Sequence, residues 1–356
     1  MDRQRPEADD LRVPGPRARE LRGLSQTYEV QCTTPQIPLV WDHAQGARIW
    51  DVDGNEYVDF TSGVLVVNIG HSHPAYVAAA REQAGRLMNN YDFLNEPRVL
   101  LSKKLVEMTL SNLNKAFITN SGSEAIEIAI KIAKRHSGRY EILSFQGAFH
   151  GRTYATMSLA GKQGTKRGFG PLMPGVVHAP FCYCYRCPFG QTFPECDYWC
   201  IQNLDLVVDT QSSGNIAALV VEPYQGAGGS IVPPPGYMER LRAWCKKRGY
   251  LFILDEVQSS FGRTGKMFAY EHFDIEPDLI CLGKGLGSGV TIAAVVGDSR
   301  LTDSLQPGDI SSTYGGNPFC SALALAAIDI IEQEGLAERA ERTGQWMEDR
   351  FSRLQA

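Results

Sequence analysis

No apolar run in this 356-residue chain approaches the roughly 20 residues needed to cross a bilayer, which excludes a helical membrane span. No charge sign dominates either. The balance of 35 Lys and Arg against 40 Asp and Glu leaves a formal charge of -5, so there is no electrostatic case for nucleic acid or an anionic membrane as partner. Internal repeats and low-complexity linkers are absent. Residues 1–10 mix both charge signs around no apolar stretch, so no secretory or transit segment is expected and the expected location is cytoplasmic. Nine cysteines in that compartment are expected as reduced thiols rather than a disulfide framework. What is present is globular: 43% hydrophobic and 21% charged residues exclude a disordered or fibrous chain. The length allows a main domain with a smaller appendage.

Two strand-end groups stand out. Tyr250-Leu-Phe-Ile-Leu-Asp255 is a short apolar run ending in acid, the pattern of a fully buried parallel strand, and it puts Asp255 at the carboxyl end where open α/β sheets bind ligands. Asp278-Leu-Ile-Cys-Leu282 is a second such run, and Lys284 follows it between two glycines. A carboxylate and an amine converging on one crevice suit pyridoxal phosphate, which needs a lysine for its Schiff base and an acid to keep its ring nitrogen protonated.

Strand and helix patterns alternate along the chain, which predicts a mostly parallel sheet covered on both faces. Strands are expected at 115–118, 140–145, 216–221, 250–254, 278–282 and 292–296, and helices at 75–88, 97–110 and 123–136. Residues 1–24 are expected to be frayed, and Arg48 to Phe60 reads as a hairpin around Asp53-Gly54. Beyond Phe319 the pattern is helical with a break at Gly335.

Further candidates sit between these elements. Asn120-Ser121-Gly122-Ser123-Glu124 joins a strand to a helix, where free backbone N–H groups and the helix dipole could hold a phosphate; the same residues also make an ordinary helix cap. Phe149-His150-Gly151 puts an aromatic ring and an imidazole on a loop, for stacking on a planar ring or for plain packing. Glu222 ends another apolar run. Cys182, Cys184, Cys187, Cys196 and Cys200 offer spacings that zinc can use, but the pairs are CxxC and CxxxC and lie close together, so no metal site is assigned. The glycines at 283–289 match neither the dinucleotide fingerprint nor a P-loop.

Taken in order, Asp51 to Phe60, Gly70-His-Ser-His-Pro74, Asn120 to Ala125, Phe149-His-Gly151, Leu254 to Gly265, Lys284 to Gly289 and Ser312 to Pro318 resemble the class III pyridoxal-phosphate aminotransferases. The resemblance runs from about Trp50 to the end of the chain. It implies a fold-type-I α/β transferase with a mostly parallel central sheet and a smaller, C-terminally truncated domain. The implied divisions are 1–60 (a contribution to the small domain), 61–318 (the large cofactor-binding domain) and 319–356 (the start of an incomplete small domain). It further implies pyridoxal 5'-phosphate as cofactor and transamination between an amine or ω-amino acid and a 2-oxo acid. Lys284 would carry the Schiff base and shuttle the proton, and Asp255 would pair with the pyridine nitrogen. Gln258 would lie near the ring hydroxyl, Val257 beneath the ring and Phe149 on its other face. Ser121, Gly122 and Ser123 would hold the phosphate, with His150 and Glu222 beside the cofactor. Thr313 would reach the neighbouring subunit's site, which implies a homodimer or higher homo-oligomer.

Members of this family usually carry a carboxylate-binding arginine in a C-terminal domain that this sequence does not include, and Arg152 and Arg263 each have a local explanation. Amino-acid racemase or 2-epimerase and an inactive cofactor-binding remnant are the alternative readings.

Overall fold

The computed structural model describes residues 13–34 and 36–355. A seven-stranded sheet forms the centre: β4 (Lys115–Thr119), β5 (Glu141–Phe145), β6 (Val176–Ala179), β7 (Ile216–Val221), β8 (Leu251–Asp255), β9 (Leu279–Leu282) and β10 (Ala293–Gly297). Their spatial order is β4-β10-β9-β8-β7-β5-β6. All neighbouring pairs are parallel except those of β10, which is antiparallel to both β9 and β4. Five of the six predicted strands are met within a residue or two at each end, and 216–221 is met in full.

Side-chain alternation splits the strands between two apolar layers. Ile142, Val220, Ile253, Cys281 and Val295 pack with the helix Gly122–Ser137. Leu143, Val221, Phe252, Leu254, Ile280 and Val296 face the other way, against Leu204, Leu241, Leu101 and Ile328 of four further helices, Trp199–Gln211, Tyr237–Arg248, Glu96–Glu107 and Pro318–Gln333. Because both faces are covered, the strands read as continuous apolar runs.

The helix Gly122–Ser137 follows directly from its sequence. Ser121 caps it by accepting the Glu124 N–H, and Lys134, Arg135 and His136 fill its last turn, where the dipole favours cations. Ile126, Ala129, Ile130 and Ala133 form its buried stripe. Pro318–Gln333 lies within the same core, Gly335 turns the chain at φ +58, and the helix Leu336–Gln355 buries Ala337 alone among its residues.

The N-terminal part differs from expectation in two places. Residues 16–24 are not frayed but helical, in Pro16–Tyr28: Pro16 starts the helix, Asp53 accepts the N–H groups of Arg17 at 2.8 Å and Ala18 at 3.0 Å, and Ala18 is buried. Residues 1–12 of that expectation lie outside the described residues. The hairpin forms from β2 (Arg48–Asp51) and β3 (Glu56–Val58), and β1 (Trp41–Gln45) adds a third antiparallel strand that the sequence pattern did not reveal. Asp51 fixes the turn by accepting the N–H of Asn55 at 2.8 Å and the Tyr57 hydroxyl at 2.9 Å. Among the described residues no helix is long and apolar enough to cross a membrane.

Candidate active site

The carboxyl ends of β7 and β8, the loop after β5, the turn after β9 and the N-terminus of Gly122–Ser137 meet around a cavity of about 210 Å³. Every site residue named from sequence lines it except Thr313. Thr313 is exposed, on the loop leading to Pro318.

Asp255 is buried at the end of β8. One carboxylate oxygen accepts the Val257 N–H at 3.0 Å, and the other lies 2.7 Å from His150 Nδ1. His150 is buried too, and its Nε2 has no partner. Burial works against charge on this imidazole, but the hydrogen bond to Asp255 and the charges of Asp255 and Glu222 outweigh it, so its pKa is raised. The result is an acid held in one orientation between the imidazole and a backbone N–H. Sequence named His150 but not its bond to Asp255, since 105 residues separate them and nothing local signals the contact.

Glu222 accepts the N–H of Phe149 at 2.9 Å and of Gly226 at 3.1 Å. Burial pushes its carboxyl up to about 7, aided by the Asp255 charge and opposed by His150 and the two N–H donors. Glu256, next to Asp255, points the other way. It accepts N–H groups from Ala269 at 3.0 Å and Tyr270 at 2.7 Å and ties down the loop that follows β8, and burial likewise lifts it to about 7.

Lys284 sits on left-handed backbone at φ +43, a strained conformation for a side chain of its kind. Its turn, Lys284–Leu286, aims the amine into the cavity. Burial lowers its pKa and the charges of Asp255 and Glu222 partly restore it, so more of the amine is neutral than in an exposed lysine.

The helix end completes the cavity. A Cβ on Gly122 would stand 2.8 Å from Val257 Cγ1, and one on Gly151, at φ +136, would stand 2.2 Å from Ser123 Oγ. Only glycine lets these segments close together. Glu124 ties the turn to β4, accepting the Asn120 N–H at 2.8 Å and its amide at 3.0 Å, and Asn120 in turn donates to Ser312 Oγ at 3.0 Å. The loop that carries Thr313 is thus fastened to the Asn120–Glu124 turn.

Tyr224, Ala227 and Ser259 also line the cavity and were not singled out from sequence, although Tyr224 follows Glu222 by two residues. Arg152 is exposed, with its guanidinium 5.7 Å from the Phe149 ring centre. Arg263 is half-buried and donates to Asn68 Oδ1 at 2.5 Å. In the cysteine-rich loop Cys182 is buried and Cys184 exposed, and burial raises the thiol of each; among the described residues no three metal-ligating side chains are placed to hold an ion.

A partly neutral buried amine, an oriented carboxylate, an aromatic wall and a dipole-bearing helix end fit a phosphorylated, planar cofactor with an aldehyde and a ring nitrogen. The family model for aminotransferase class-III matches residues 30–356. Among curated proteins, an acetylornithine aminotransferase of Methanopyrus kandleri is 38% identical over 91% of this chain and 78% of its own length. A probable 4-aminobutyrate aminotransferase of Bacillus subtilis is 40% identical over 86% of this chain and 71% of its own. The solved structure of an (S)-enantioselective omega-transaminase from Thermomicrobium roseum superposes with a TM-score of 0.90 at 34% identity, covering 95% of this chain and 80% of that one.

Proposed function

Because the chain belongs to the class-III aminotransferases, fold-type-I enzymes that work with pyridoxal 5'-phosphate, we propose that Lys284 and Asp255 carry its transamination of an amine or ω-amino acid with a 2-oxo acid. The observation that supports this most is the convergence of the Lys284 amine and the Asp255 carboxylate on one cavity rimmed by a helix N-terminus. When bound, the cofactor supplies an aldehyde that condenses with amines and a protonated ring that withdraws electrons from the substrate carbon.

This chain's residues do the rest. Lys284 would hold the cofactor through its amine and, when free, would serve as the acid–base that moves the substrate proton. Its lowered pKa favours both roles. Asp255, oriented by His150 and the Val257 N–H, would hold the proton on the ring nitrogen. Ser121, Gly122 and Ser123 would bind the phosphate with the helix dipole behind them. Phe149 and Val257, which line the cavity, would pack the ring, and Gln258 would lie near its hydroxyl. Glu222 borders the substrate side. Thr313, absent from its own chain's cavity, would contact the phosphate in a second copy, which makes a homodimer or larger the working unit of this proposal.

The test is an absorbance spectrum of purified protein with added pyridoxal 5'-phosphate, for wild type and Lys284→Ala, before and after amino donors. Wild type should show a near-visible band that a donor bleaches, and Lys284→Ala should lack it and lose at least about 10²-fold in turnover. A Lys284→Ala protein with the wild-type spectrum and rate would overturn the assignment.

A further inference from the structure

Tyr224 brings the bulkiest side chain to the wall of the cavity, and no part of the cofactor claims it. On the transamination reading above, Ser121 to Ser123 take the phosphate, Phe149 and Val257 the faces of the ring, and Asp255 and Lys284 its nitrogen and its aldehyde. Of the lining side chains left over, Glu222 is bound to the N–H groups of Phe149 and Gly226, the Ser259 hydroxyl donates to the Glu256 carboxylate at 2.5 Å, and Ala227 is a single methyl. That leaves the Tyr224 ring as the wall the substrate meets.

The chain on both sides of this ring is clamped. Pro223 has its φ fixed, and the Glu222 carboxylate spans the turn to the Gly226 N–H at 3.1 Å. Gln225 is buried, its amide donates to the Gln146 carbonyl at 2.9 Å, and its backbone pairs with Ile231 in both directions at 3.0 and 3.1 Å. The same turn presses on the reactive end of the site. A Cβ on Gly226 would fall 1.6 Å from Gln258 Oε1, and Gln258 is the residue set near the ring hydroxyl, whose carbon adjoins the one that bears the aldehyde. Space is short there: the cavity of about 210 Å³ lies below the roughly 300–1,000 Å³ of ordinary small-molecule sites, and the cofactor has to fit in it too. In a small site with a rigid wall, the volume of one side chain decides what is admitted.

We propose that Tyr224 limits the size of the substituent on the substrate's reacting carbon, which makes this a site for amines with slim substituents, such as ω-amino acids, whose reacting carbon carries one unbranched chain. This assignment rests on the transamination reading above. Tyr224 is then a specificity-determining residue that acts through the bulk of its ring. One methylene more or less against such a wall changes kcat/KM by about 10- to 200-fold, and a phenyl group in place of a methyl is a far larger excess.

The experiment is kcat/KM of the holoenzyme for isopropylamine and 1-phenylethylamine, which differ by a methyl against a phenyl on the reacting carbon, with pyruvate as acceptor. Calorimetric Kd values for acetone and acetophenone, the ketones these donors leave, read the same ordering without turnover. Wild type should favour the smaller member of each pair. Tyr224→Ala should shift both ratios at least tenfold toward the larger member, and Tyr224→Phe, which keeps the ring, should leave them within twofold of wild type. Tyr224→Trp should shift them the other way, which tests the wall even if Tyr224→Ala folds poorly. Unchanged ratios in folded Tyr224→Ala or in Tyr224→Trp, a wild type that favours the larger ligands, or a shift in Tyr224→Phe as large as that in Tyr224→Ala would each overturn the assignment. A wild type that binds acetone in preference to acetophenone but turns over no donor would instead count against the transamination reading.

Discussion

At Glu222 the sign of a pH effect can be worked out from its surroundings. Its folded pKa of about 7 lies above the ordinary glutamate value of 4.5, so between those pH values the folded protein holds a proton that the unfolded chain has lost. Stability from this group is therefore full below about 4.5 and declines as pH rises, by an amount on the order of 3 kcal/mol once pH passes 7. Glu222→Gln cannot ionise. Denaturant unfolding of the cofactor-free protein should show the variant gaining on wild type steadily from pH 5 to pH 8, whatever offset arises from exchanging one acceptor oxygen for an amide. A difference that does not change with pH would refute the shift. The residues of this site were legible in the sequence to the extent that each ends an apolar run, as Asp255, Glu222 and Lys284 do. Their mutual contacts were not. The bond from His150 to Asp255 depends on which strands become neighbours, and no local pattern encodes that.

Elements were legible in proportion to their burial and length. The helix Gly122–Ser137 shows its cap, its acid and its apolar stripe in order, and the strands β7 and β8 are uninterrupted apolar runs. The strand Val176–Ala179 escaped because it is four residues long and lies between Pro174 and Pro180, which read as loop. Strand β1 escaped because its side chains are almost all exposed and carry no buried alternation. The helix Pro16–Tyr28 has no local signal because Asp53, which accepts its first N–H groups, comes from a distant hairpin. The close approach of the capped helix to the loop after β8 is itself testable. Gly122→Ala would push a methyl group into Val257, at a cost of about 1–3 kcal/mol for overpacking, and should weaken pyridoxal 5'-phosphate binding at least tenfold in an absorbance titration. Ser121→Ala should cost about 1 kcal/mol of stability through its lost cap. Retained cofactor affinity in Gly122→Ala would show that the helix end is not held where the phosphate needs it.

At the scale of the whole molecule, the proposal has Thr313 serve a neighbouring copy. Phe60, Phe93, Leu94 and Tyr314 are large apolar side chains left exposed, of the kind that subunit contacts cover. A mixing experiment reads the arrangement directly. If Thr313 serves its neighbour, refolding Lys284→Ala together with Thr313→Ala gives hybrid dimers with one intact site, and those sites should recover the wild-type cofactor affinity that Thr313→Ala alone lacks. If it serves its own chain, mixing recovers nothing.

The order of strands in the sheet reaches beyond catalysis to biosynthesis. Strand β4, which ends in the Asn120–Glu124 turn, has β10 as its only sheet neighbour among the described residues, with Thr119 set against Ala293. A ribosome delivers β4 early and β10 late, so the edge strand waits unpaired while more than half of the sheet emerges. Such long-range pairing slows folding and leaves an unpaired strand open to stray contacts during synthesis. The nascent chain can thus close no cofactor site until residue 297 has cleared the exit tunnel, and chaperone demand should peak in that interval.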